Sequence, residues 1–167
     1  QTAADEANEI ASNNNTMIAL QKKIGKRSNI SAFMVNRERF KEYDFSEVND
    51  KYNRVFGVDY NLASEDNTWS GRYYLHKSVN PDDKEGNFSA EAITTYNKNN
   101  WVFINDWVYV DNDFTADLGF VPRTDIFKMG NFAQRFFFPK NREIVNRNNV
   151  QLLFINYFRT KVDFKLT

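Results

Sequence analysis

Successive stretches of this chain alternate apolar and polar residues with a period of two, and they keep the same phase from one stretch to the next. Between Asn53 and Leu62, the side chains of Phe56, Val58, Tyr60 and Leu62 fall on one side, and those of Val55, Gly57, Asp59 and Asn61 on the other. After the polar turn at 64–67, Trp69, Gly71, Tyr73 and Leu75 alternate with Ser70, Arg72, Tyr74 and His76. A period of two marks an extended strand whose faces meet different surroundings. Matched phase across a short turn predicts neighbouring strands of one sheet. The fold class expected is all-β, an antiparallel up-and-down meander.

The same pattern recurs along the chain. Strands are predicted at 17–24, 29–37, 88–96, 101–110, 131–138 and 150–161, with a short run at 114–121 that stops at Pro122, a residue that cannot donate to a ladder. That makes eight or nine strands over residues 17–167, after a polar lead-in or loop at 1–16. The turns are marked by Gly25-Lys26-Arg27-Ser28, by 97–100, and by 78–87, where Pro, Gly and four charges make a loop. The charged stretch 38–51 is expected to be a loop in which Phe40, Tyr43 and Phe45 pack locally. The lead-in lacks a positive start and an apolar core, so it does not read as a signal peptide. The final VDFKLT stops in mid-pattern, as though a strand were cut or left needing a partner.

What the apolar face meets, protein core or lipid, decides what such a sheet does. Aromatic residues make up 16% of the chain, with 16 Phe, 8 Tyr and 3 Trp among many Asn, Asp and Lys. Rings suit a pleated, half-buried surface and also a bilayer interface. The mean hydropathy is −0.67, and no apolar run is long enough for a transmembrane helix. Barrel strands, however, expose only every second residue to lipid and can stay polar on average. The formal net charge of 0 lacks the basic footprint of a nucleic-acid binder. Zero Cys removes disulfides, thiolate metal sites and Cys nucleophiles, and a lone His76 leaves little for a His-rich metal site or a catalytic triad. No cofactor is called for.

Four motifs, in order and spacing, carry a resemblance. They are Lys26-Arg27-Ser28-Asn29-Ile30, Gly57-Val58-Asp59, Asp66-Asn67-Thr68-Trp69 and Gly119-Phe120-Val121-Pro122-Arg123. Together, over residues 17–127, the chain resembles the C-terminal domain of unknown function of membrane-associated proteins whose N-terminal part is a carbohydrate-binding family 9-like sandwich. The resemblance implies an outer-membrane β-barrel of Bacteroidetes-like Gram-negative bacteria, without enzymatic activity. Lipid and further barrel strands, or a partner chain, are the implied partners. A glycan would be handled through the sandwich, which is absent here. Arg27, Asn29, Asp59, Trp69, Gly119, Phe120, Pro122 and Arg123 carry over as structural motif positions only. Family barrels are much longer, so the chain reads as an internal portion. Eight strands of roughly 9–11 residues are nonetheless enough for the smallest closed barrel.

On this reading Phe56, Val58, Tyr60, Leu62, Trp69, Tyr73 and Leu75 face lipid, and Asp59, Asn61, Arg72 and His76 face the lumen. Arg123, fixed behind a proline, is expected to pair with Asp59 or Glu91. The alternative is a soluble β-sandwich or barrel that binds carbohydrate by stacking sugar rings on Trp69, Tyr73, Trp101 and Trp107. A hydrolase fits worst. Asp82, Asp83 and Glu85 could supply carboxylates, but a Pro/Gly loop fixes no geometry. Asp111, Asp113 and Asp117 suggest a calcium loop without its Gly and terminal Glu, and His76 reads by default as a lumen or interface residue.

Overall fold

The computed structural model describes residues 2–46, 50–82, 87–140 and 145–160, apart from the side chain of Glu6. Eight strands follow one another in chain order: β1 (Asn13–Ile24), β2 (Ser28–Arg39), β3 (Tyr52–Ala63), β4 (Trp69–Val79), β5 (Phe88–Lys98), β6 (Trp101–Val110), β7 (Ile126–Phe137) and β8 (Asn148–Phe158). Each pairs antiparallel with the next in a single eight-stranded sheet, so the order in space repeats the order in sequence. The alternation thus predicted the fold class correctly. No helix among the described residues is long and apolar enough to cross a membrane, which says nothing about strands.

The register sorts the two faces. One row runs Leu20, Ala32, Val58, Leu75, Ala90, Tyr109, Phe127, Phe158 across all eight strands without a polar residue. The next row on the same face runs Ile30, Tyr60, Tyr73, Ala92, Trp107, Met129. On the opposite face, one register step away, lie Ser31, Asp59, Tyr74, Glu91, Val108 and Lys128. We call the first face outer and the second inner. Leu20 lies seven residues inside the Asn13 end of β1, whereas its row reaches β8 at the terminal Phe158. That steady stagger is what tilted strands of a barrel wall require. β1 and β8 nevertheless remain unpaired edges.

Turn chemistry accounts for the tight connections β1–β2 and β5–β6. Asn99 and Asn100 both adopt positive φ, 52° and 66°, as a two-residue primed hairpin demands. Gly25, at φ 60°, serves β1–β2 in the same way. The ends of β2, β4 and β6 that lead into 40–51, 80–87 and 111–125 lie on the opposite rim of the sheet from these turns.

Several expected boundaries move. β1 starts at Asn13 within the expected lead-in, because Asn13–Thr16 find ladder partners in Arg39–Asn36. Thr2 bridges Asn13 as well, and Glu6–Asn8 form a 3₁₀ turn. β2 likewise extends to Arg39, and in the loop after it Tyr43 stacks on Phe45 at 5.1 Å. β4 continues to Val79, taking Ser78 out of the expected loop. β7 starts at Ile126, five residues early, since Phe127 and Met129 pair with Tyr109 and Trp107. β8 spans Asn148–Phe158; of the run predicted to 161, Arg159 and Thr160 fall outside the strand, and Lys161 and the final VDFKLT lie outside the described residues.

The run at 114–121 is not a strand. Its backbone is taken up by side chains and turns: Thr115 N–H donates to Ser78 Oγ (3.2 Å), Asp117 N–H to Asn53 Oδ1 (3.2 Å), and Gly119 N–H to the Ala116 carbonyl (2.9 Å). The segment folds inward against the inner face. There Phe114, 5% exposed, packs with Val55, Val110 and Ile126 as the principal buried apolar cluster.

Candidate functional site

The inward loop and six strands line a half-open cavity of about 630 Å³, within the roughly 300–1,000 Å³ of small-ligand pockets. Phe33, Val55, Val108 and Phe114 make its apolar wall, and Asp59, Asn61, Arg72, Tyr74, His76 and Glu91 its polar one. Asp59, Asn61, Arg72 and His76, expected on one face, do line one half-open cavity.

Polar and charged groups on this face are paired across strands. His76 Nε2 donates to Asp59 Oδ1 at 2.8 Å, with its ring stacked on Tyr74 at 4.2 Å between centroids. Arg72 donates to Glu91 at 2.5 and 2.8 Å. Lys128 Nζ donates to Asp106 Oδ2 at 2.5 Å. Gly57 leaves room for this arrangement, because a Cβ there would meet the Phe33 ring at 2.3 Å and the His76 ring at 2.6 Å. The expected pairing of Arg123 with Asp59 or Glu91 is not made, since His76 and Arg72 already hold those carboxylates. Arg123 lines the same cavity without a hydrogen bond or ion pair to any described residue.

Loop anchoring uses residues that pattern reading passed over. Ser78 is 0% exposed and Asn53 is buried. Asn53 Nδ2 donates to the Thr115 hydroxyl (2.9 Å) and carbonyl (3.3 Å), and Arg37 Nε to Asp117 Oδ2 (2.6 Å). The available signal was parity. Asn53 and Ser78 continue the inner-face positions Val55-Gly57-Asp59 and Arg72-Tyr74-His76.

Two of the four sequence motifs, 26–30 and 66–69, meet in space. Lys26 pairs with Glu65 (2.6 Å), Arg27 donates to the Ser64 carbonyl (3.2 Å) and to Asn67 Oδ1, and Asn29 Oδ1 accepts from Asn61 (3.0 Å). The turns β1–β2 and β3–β4 are thereby stitched together. Asp66 accepts from the Thr68 hydroxyl and amide, Lys98 and Ser64, which hold its carboxyl well below the usual carboxylate range. Phe120 of Gly119-Phe120-Val121-Pro122-Arg123 is 88% exposed on the inward loop.

Trp69, Tyr73, Trp101 and Trp107 share the outer face but do not form one platform. Ring contacts instead link Trp69 to Tyr96 (4.8 Å), Tyr96 to Phe103 (6.0 Å) and Phe103 to Trp101 (5.3 Å), with Arg135 over Trp101 (4.9 Å). Tyr73 turns to Tyr60 (5.9 Å) and to the Thr94 hydroxyl (2.7 Å). The carboxylates of the calcium-like stretch are engaged separately. Asp111 accepts from Tyr109 (2.5 Å) and from the Phe88 amide (3.1 Å), and Asp117 from Arg37. Asp83 and Glu85 lie outside the described residues, and no group of three metal-ligating side chains occurs among those described.

No protein family, curated protein or solved structure matches this chain.

Proposed function

We propose that this chain is a non-enzymatic wall segment of an outer-membrane β-barrel in a Gram-negative bacterium, belonging to a protein with a carbohydrate-binding family 9-like sandwich. The observation that carries the reading is the unbroken apolar row from Leu20 to Phe158 on the outer face, set against an inner face of paired charges. Val58 and Leu75, at the centre of that row, are 50% and 56% exposed. In water such a row is an unfavourable surface, whereas in hydrocarbon it matches its solvent. In a bilayer the β1 and β8 edges need partners, because each unsatisfied backbone group there costs several kcal/mol. Further strands of the same protein, or of a partner chain, would supply them. Any glycan role belongs to the sandwich.

The test is solubility first and substitution second. The protein is expected to need detergent or lipid to remain monodisperse, and Val58→Arg to cost about 2 to 4 kcal/mol in lipid if Val58 lies near the midplane. A monodisperse protein in plain buffer would sink the reading.

One observation favours a second reading, a soluble carbohydrate-binding module. Trp69, Tyr96 and Phe103 line a shallow outer pocket with Thr94 and Asn105, which combines ring faces with hydrogen-bonding groups. A glycan titration that changes Trp fluorescence, abolished by Trp69→Ala, would support it.

A further inference from the structure

The inner cavity is lined by an arginine, Arg123, that neither of the cavity's carboxylates engages. Asp59 is bonded to His76 and Glu91 to Arg72, leaving the Arg123 guanidinium without a partner among the described residues. An exposed arginine on a free loop would mean little, but this one is held on both sides. Upstream, Phe114 is buried, and Thr115 and Asp117 are bonded to Asn53 and Ser78. Downstream, Asp125 Oδ1 accepts from the Thr160 amide (3.0 Å) and hydroxyl (2.7 Å), and Ile126 is buried at the start of β7. Pro122 fixes φ immediately before Arg123. Arg123 itself is exposed at the cavity's edge, but the backbone that carries it is already anchored, which lowers the entropy lost on binding.

We propose that this cavity binds a small organic anion whose carboxylate or phosphate is gripped by Arg123 and whose apolar part lies on Phe33, Val55 and Phe114. A guanidinium takes either group by the same two-point geometry. The cavity is walled by apolar side chains beside a polar belt, so a bare inorganic ion would leave most of it unfilled. The inference is independent of whether the outer face meets lipid or water.

The test uses the whole chain, in detergent or buffer as its solubility dictates, with probes of matched shape: benzoate, phenyl phosphate, benzyl alcohol and benzylamine. Binding is followed by NMR at the Arg123 side-chain N–H and at the Phe33 and Phe114 rings. Benzoate or phenyl phosphate is expected to give saturable shifts at all three, and comparison of the two identifies the preferred anion. Benzyl alcohol and benzylamine should bind at least about tenfold more weakly. Arg123→Gln should remove the preference for the anion without changing the weak binding of benzyl alcohol. Asn53→Ala, which loosens the loop but keeps the guanidinium, should weaken the anion by a smaller factor. Equal binding of benzoate and benzyl alcohol, an unchanged anion affinity in Arg123→Gln, or anion shifts confined to other lysines and arginines would each overturn the proposal.

Discussion

The middle of the sheet and its edges solve different problems. In β3 to β6 the alternation is kept: Val58 and Leu75 point outward, while Asp59, Arg72, Glu91 and Asp106 point inward and find partners. In β8 it is lost. Leu152, Leu153, Phe154 and Ile155 are consecutive, apolar and all exposed, so both faces of that strand are greasy. β1 is similar, with Met17, Ile18 and Leu20 exposed. A strand that separates two environments needs only one apolar face. Edge strands with two apolar faces and free ladder groups are surfaces waiting for cover, and natural edges in water are usually blunted by charge, proline or bulges.

The comparison can be pressed from either side. The largest effect is expected at the buried anchor of the middle. Phe114→Ala, followed by denaturant unfolding, should cost about 3 to 5 kcal/mol, as large-to-small core changes do, and a cost under about 1 kcal/mol would mean that the inward loop is not part of the folded core. Next comes the edge. Leu152, at 71% exposure, has almost no protein contact to lose. In buffer Leu152→Lys should fall within about 0.5 kcal/mol of the parent; in lipid vesicles it should approach the roughly 2 to 4 kcal/mol expected of a lysine near the midplane. Neutrality in lipid alongside a costly Val58→Arg would show that middle and edge do not share one environment. Ser78→Ala sharpens the middle further. It removes the acceptor of the part-buried Thr115 N–H bond at a cost of about 1 kcal/mol, and amide exchange at Thr115 should rise ahead of exchange in β4.

The smallest effect concerns the turn that joins β3 to β4. Because its hydrogen bonds depress the Asp66 carboxyl, the stabilisation that they provide is present above the ordinary carboxylate pKa and is lost as pH falls through the lower folded value. The Thr68 amide resonance should therefore hold steady through about pH 4 and move only in stronger acid. Titration at the ordinary pKa would show that the Thr68 and Lys98 contacts do not persist in solution.

Alternation made the sheet, the order of its strands and the contents of both faces legible, since parity alone assigns Val58 outward and Asp59 inward. It could not reveal the inward loop. The sequence of 114–121 is apolar enough to pass for a strand, and what turns it inward is a set of hydrogen bonds to Asn53 and Ser78, far away in the chain. Arg123 shows the same limit. Its proximity to Asp59 and Glu91 could be expected from the barrel reading, but the competing claims of His76 and Arg72 depend on diagonal and cross-strand distances that only the register fixes. At β1 and β7 the boundaries moved because pairing partners, rather than local propensity, decide where a strand stops.

A meander whose spatial order repeats its chain order has every ladder closed between neighbours in sequence. Such a wall is assembled in units of one hairpin, and adding or deleting a hairpin at either end leaves the remaining registers untouched. Its nucleation can be local and its growth zipper-like, with little loop entropy to overcome at each step. The same property makes the architecture extensible over evolutionary time. A gene that duplicates two strands lengthens the wall without having to redesign it.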